Sequence, residues 1–115
     1  GYLGATMSAI AVTGGWFEGP KLKGRMVPPG GDWLVKRADG SRALDVKITL
    51  VTDDGARMLM TYRGVGYTPK EGQYYGRVAV SFQTGVDKYA WLNNLVAVGV
   101  SKRPKTTGYR VYQIL

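Results

Sequence analysis

The sequence predicts an all-β fold: a single small antiparallel up-and-down β-barrel of about eight strands, lipocalin-like in outline, over residues 1–115. Three observations predict it. Short runs alternate apolar and polar residues with period two. Turn signals separate these runs at the spacing of roughly 8–12 residues seen in barrels and sandwiches. The 17 glycines suit tight turns and kinks at barrel corners, and no pattern supports a helix longer than two turns.

Residues 7–13 are a short apolar run ending at Gly14-Gly15. Residues 21–27 alternate basic with apolar or small side chains and stop at Pro28-Pro29-Gly30-Gly31. Residues 32–37 form the next run, closed by Asp39-Gly40, a hairpin signal. Residues 42–51 are the cleanest strand: Leu44, Val46, Ile48 and Leu50 share one face, and Asp45, Lys47, Thr49 and Val51 share the other. Asp54-Gly55 turns the chain into residues 57–63, where Met58, Met60 and Tyr62 lie together. Residues 64–73 read as a loop. Alternation resumes over 74–83 with Val78, Val80 and Phe82 on one face, and breaks at 84–88. Residues 89–94 read as a short helical turn or bend. Residues 95–102 and 109–115 complete the chain, joined through 104–108. An eight-stranded barrel has an interior just large enough for side chains or one small ligand.

Composition narrows the chemistry. The 44% hydrophobic and 21% charged residues are ordinary for a globular domain and argue against disorder. No apolar run approaches the ~20 residues of a membrane helix, and no signal-peptide pattern opens the chain. The expectation is therefore a cytoplasmic protein without membrane attachment. The chain opens at Gly1 rather than Met and is read as processed or shortened, lacking a first strand. There is no Cys and no His. Thiolate nucleophiles, disulfides and His-dependent triads are thereby excluded, and a zinc site is not expected. Any catalysis falls to Asp, Glu, Tyr, Lys, Arg, Ser or Thr, and no cofactor is expected. The net charge of +8 comes from basic residues scattered along the chain, so a nucleic-acid partner is not favoured. Gly64-Val65-Gly66 opens no helix and gives no dinucleotide fingerprint.

The candidate catalytic residues are Asp45 and Asp32. Asp45 points into a polar pocket if the aliphatic face of its strand packs outward, and into solvent if that face fills the core. Asp32 precedes Trp33, and a carboxyl beside an aromatic wall has its pKa raised by desolvation, which suits proton transfer near neutral pH. Candidate substrate-binding residues are Glu18, Trp33, Arg63, Tyr75, Trp91 and Asn93. The aromatics would wall a pocket, Arg63 or Tyr75 would hold an oxygen, and Asn93 would donate to one or cap local backbone. Asp53-Asp54-Gly55 reads as turn chemistry.

The segment Gly14-Gly15-Trp16-Phe17-Glu18-Gly19-Pro20-Lys21-Leu22-Lys23-Gly24 resembles the opening block of the domain of unknown function 3237 family, also called the UPF0311 group. Gly30-Gly31-Asp32-Trp33, Leu44-Asp45-Val46, Thr52-Asp53-Asp54-Gly55 and Tyr89-Ala90-Trp91-Leu92-Asn93 resemble its later blocks in the same order. The resemblance implies a small antiparallel barrel, often found in assemblies. It brings no established reaction. The family's acidic and aromatic blocks map to Glu18, Asp32, Trp33, Asp45, Trp91 and Asn93. The resulting expectation is a barrel that binds a small apolar oxygenated ligand, using carboxylates for isomerase, cyclase or lactone chemistry, as a homo-oligomer. The alternatives are a non-catalytic basic binding module for an anionic ligand or nucleic acid, and a structural oligomeric barrel.

Overall fold

A computed structural model describes residues 6–11, 15–18, 22–70, 72, 74–101 and 109–114. Eight strands follow in order: β1 Thr6–Ala11, β2 Gly15–Glu18, β3 Lys23–Lys36, β4 Arg42–Thr52, β5 Arg57–Tyr67, β6 Tyr75–Gln83, β7 Ala97–Ser101 and β8 Tyr109–Gln113. A 3-10 helix, Asp87–Asn94, lies between β6 and β7. All pairings are antiparallel, and β3 through β8 run as an up-and-down meander. Strands β1 and β2 share the outer edge of the long β3. Among the described residues no ladder joins them to β8, so the curled sheet is not closed.

The eight strands are divided differently from the sequence expectation. Pro28-Pro29-Gly30-Gly31 does not end a strand. Both halves of β3 pair with β4, and a register shift between Val27 and Gly30 absorbs the prolines as a bulge. The Pro28-Pro29 peptide bond is cis. The strand count is restored by β2, which pairs Gly15 to Met26 and Glu18 to Lys23. Gly64 and Gly66 continue β5 instead of opening a loop.

The Asp-Gly turns form as the sequence expects. Gly40 and Gly55 take φ of 86° and 87°, the left-handed conformation glycine adopts without a Cβ penalty. In the first turn Asp39 accepts from the Ser41 amide (2.9 Å) and hydroxyl (2.6 Å). In the second, Asp54 reaches beyond its own turn. It accepts from the Thr52 hydroxyl, from Lys88 Nζ at 2.6 Å and from the Tyr89 hydroxyl at 2.9 Å. These bonds fasten the 3-10 helix to the β4–β5 hairpin. Their donors hold the Asp54 carboxyl far below the ordinary carboxylate range, with Lys88 the largest cause. A depressed acid pKa gives stability that is present above the unfolded value of 3.8 and is lost as pH falls through the folded value. Asp54→Asn is therefore expected to lower the thermal midpoint at pH 7 and to remove much of that difference at strongly acidic pH. Melting curves across that range check it.

Leu44, Val46, Ile48 and Leu50 face the inside of the curl, which settles the orientation of β4. Val46 and Leu50 are each 1% exposed. They pack with Met58, Val78, Val80, Phe82 and Ala97, and the 3-10 helix covers this half with Tyr89 and Leu92.

Candidate functional site

The opposite half of the concave face is built differently. Where the first half carries aliphatic side chains, this one carries glycines. Gly64, Gly66, Gly76 and Gly99 occupy inward positions of β5, β6 and β7, set by the registers Leu44↔Gly64↔Val78↔Gly99 and Arg42↔Gly66↔Gly76. The space left by Gly66 and Gly76 is filled by tyrosines. A Cβ on Gly66 would collide with the Tyr74 hydroxyl. One on Gly76 would lie 2.8 Å from Tyr74 Cε2 and 3.1 Å from the Tyr109 hydroxyl. The Tyr62 and Tyr109 rings pack at 5.7 Å with a 50° tilt.

Asp32 faces this tyrosine layer. It sits on the inward row Asp32↔Val46↔Tyr62↔Val80↔Ala97. Its Oδ1 is buried with no hydrogen-bond partner among the described residues. Desolvation raises its pKa above 3.8, opposed by the Arg42 charge and reinforced by Asp45. Tyr62 is pushed up to about 12, chiefly by burial and then by Asp32 and Tyr74. Tyr109 is raised further by burial, with its charge interactions and hydrogen bonding to Tyr74 adding to the effect. Both phenols therefore stay protonated donors near neutrality.

At the rim of this end lies a cavity of about 380 Å³, lined by Asp39, Gly40, Ser41, Arg42, Tyr67, Thr68 and Tyr74. Arg42 and Tyr74 belong to both regions, since each also acts electrostatically on the inner layer. The Asp32 carboxyl itself is held among phenols, an arrangement suited to moving one proton.

The residues singled out in the sequence are dispersed. Asp45, Trp33 and Arg63 come together, but on the convex face, in the row Trp33↔Asp45↔Arg63. The aliphatic side of β4 fills the core, so Asp45 is turned the other way. Arg63 Nε and Nη2 each donate to it at 3.3 Å. Trp33 is 47% exposed and faces away from Asp32, because adjacent strand residues alternate. The aromatic wall beside Asp32 is made by tyrosines instead. Tyr75 is also on the convex face, against Tyr67 at 5.1 Å and under Arg77 at 4.1 Å. Trp91 and Asn93 lie on the 3-10 helix at the far end, where Asn93 accepts from the Thr84 amide and donates to its carbonyl as a local clasp. The backbone of Glu18 is in β2, and its side chain lies outside the described residues. Tyr62 and Tyr74 are among the aromatics that the sequence offers as a pocket wall, and Tyr109 is the ring that sequence reasoning missed. The signal was a set of glycines in phase with Tyr62, since aromatics settle over strand glycines.

The sequence profile of a family described as a protein of unknown function, DUF3237, matches residues 3–114. The chain belongs to the DUF3237 family. A crystal structure of a β-barrel-like protein from Acinetobacter baumannii AYE superposes with a TM-score of 0.83 at 32% identity, over 93% of this DUF3237 chain and 77% of that one. A UPF0311 protein of Clostridium acetobutylicum is 27% identical over 91% of this chain and 75% of its own. A hydroalkoxylation enzyme of Penicillium herquei is 38% identical over 89 residues, which are 76% of this chain and 52% of that enzyme. The DUF3237 chain thus spans about half the length of that relative. Among its described residues no helix is long and apolar enough to cross a membrane, and no three acidic side chains gather as a metal site.

Proposed function

We propose that the glycine- and tyrosine-lined end of the sheet binds a small apolar oxygenated molecule. The chemistry is acid–base catalysis without a redox step, of the isomerase, cyclase or lactone kind, with Asp32 as the group that moves the proton. The observation that carries this reading is the buried, unpartnered Oδ1 of Asp32 facing tyrosine rings. A carboxyl with a raised pKa is available in both protonation states closer to neutral pH, which general acid–base catalysis requires.

The similarity to a hydroalkoxylation enzyme supports one member of this class. Hydroalkoxylation adds an O–H across a C=C bond. The new O–C bond forms as the π bond breaks. In the proposed cycle the Asp32 carboxyl gives its proton to the carbon that does not bond oxygen, and the resulting carboxylate takes the proton from the hydroxyl. Every atom of the substrate is kept and no electrons leave it. The phenols of Tyr62 and Tyr109 form the wall against which the ring packs and keep water from Asp32.

The test is turnover of ortho-prenylphenol in deuterated water. Ring closure should place one deuterium on the carbon next to the new C–O bond. Closure that depends on the protein but is unchanged in Asp32→Asn would refute the assignment.

A further inference from the structure

The convex face of the sheet takes no part in the proton-transfer step. Basic residues that are scattered along the chain are gathered there by the strand registers. In phase with Asp45, β4 through β8 turn five basic residues to this side, Lys47, Arg57, Arg63, Arg77 and Arg110, against the single acid Asp45. Asp45 is engaged by Arg63, whose side chain still remains 74% exposed. Four aromatic rings stand on the same face: Trp33, Tyr67, Tyr75 and Tyr112, between 36% and 53% exposed. Trp33 and Tyr112 lie at either end of the row Trp33↔Asp45↔Arg63↔Ala79↔Val98↔Tyr112. Five strand spacings separate them, roughly 24 Å along the sheet. Ala79 and Val98 are short, so the rings and Arg63 stand above the floor between them. The neighbouring row carries Arg77 and Arg110 on either side of Val100. Tyr67 and Tyr75 pack with ring centres 5.1 Å apart, and the Arg77 guanidinium lies 4.1 Å above the Tyr75 ring.

We infer that this face binds single-stranded nucleic acid. The bases stack on Trp33, on Tyr112 and on the Arg77 guanidinium raised over Tyr75, and the phosphates meet Lys47, Arg63 and Arg110. Charge selects the partner. Two copies of a face with five cations and one anion repel each other, so a second copy of the chain does not fit, whereas a polyanion does. The rings select the form of that polyanion. Aromatic side chains and guanidinium planes offer stacking surfaces to unpaired bases of any sequence. A duplex keeps its base faces stacked on one another and would meet only the cations. Rings fixed on strands lose little freedom on binding, because each has only two side-chain torsions. This surface and the Asp32 site lie on opposite faces of the sheet, so neither reading depends on the other.

The experiment is fluorescence anisotropy of labelled oligothymidylate titrated with the full chain. Saturable binding is expected at low salt, on the order of micromolar or tighter, with a log–log salt slope of about −0.7 for each phosphate neutralised. Trp33→Leu keeps apolar bulk but removes the stacking surface, and should weaken binding about tenfold without changing the slope. Tyr112→Leu should act in the same way. Arg110→Gln should make the slope shallower by about 0.7. Arg37→Gln removes an equal charge at the β3–β4 turn, away from this face, and should cost less than Arg110→Gln. All four positions are exposed, and melting curves confirm that each variant is folded. Oligothymidylate annealed to oligoadenylate should bind more weakly than the single strand. Absence of binding at low salt overturns the inference. So does an affinity unmoved by both Trp33→Leu and Tyr112→Leu, duplex bound as tightly as single strand, or equal losses from Arg37→Gln and Arg110→Gln. Adsorption to phosphatidylserine vesicles without binding of oligothymidylate would overturn it too, and would assign the face to a lipid surface.

Discussion

Asp32→Asn is expected to abolish catalysis, by about 10²–10⁴-fold as for the loss of a general acid–base group, while leaving the protein as stable as before or more so. The sign follows from the direction of the Asp32 shift. Its folded pKa lies above 3.8, so the fold favours the protonated form. That contribution is present below the ordinary carboxylate value and is lost as pH rises through the folded value. At pH 7 an ionised Asp32 works against folding, and an amide of nearly the same shape removes that cost. Asp45→Asn is the matched comparison. It breaks a pair with Arg63 in which the side chains are 38% and 74% exposed. Such a pair contributes about 1 kcal/mol or less. Its loss on the convex face should leave turnover of prenylphenol unchanged. Parallel rate and melting measurements on the two variants separate the faces of the sheet.

Gly64→Ala is expected to cause a large loss of stability for a single added methyl. The new Cβ would overlap the Arg77 carbonyl oxygen and sit 2.7 Å from the Val78 Cα. Both are backbone atoms of the neighbouring strand, so no rotamer change relieves the contact. The sheet would have to uncurl where β5 crosses β6, below the tyrosine layer. A cost of about 3 kcal/mol or more is expected, read as a fall in melting temperature on the order of 10 °C. Gly85→Ala provides the control. Nothing lies within 4 Å of its Cβ position, and its effect should stay within about 0.5 kcal/mol.

Much of the fold was legible because β4 and its neighbours obey a strict two-residue period. Leu44, Val46, Ile48 and Leu50 predicted one buried face, and the Asp39-Gly40 and Asp54-Gly55 turns fell where glycine at positive φ was expected. The course of β3 was not legible, because Pro28-Pro29 reads locally as a stop. Pairing with β4 on both sides of the bulge outweighs that local signal. The site was half legible. Asp32 was found as a carboxyl next to an aromatic, but its chain neighbour Trp33 necessarily faces the other way. The rings it meets come from β5, β8 and the residue before β6, which only the sheet registers bring together. Tyr109 lies 77 positions beyond Asp32 in sequence, roughly the whole width of the curled sheet away along the chain. Asp45 was equally prominent in sequence, and only the direction of core packing distinguishes it from Asp32.

The most direct test of the central claim is the ionisation of the Asp32 carboxyl, followed by NMR in protein carrying carbon-13 at the aspartate side chains. Asp32 should titrate above the ordinary aspartate value of 3.8, and Asp54 should remain ionised far below it. Replacing Tyr62 by Ala, which opens the tyrosine wall to water, should bring Asp32 back toward 3.8. An Asp32 that titrates at or below 3.8 in the unmodified protein would contradict the account.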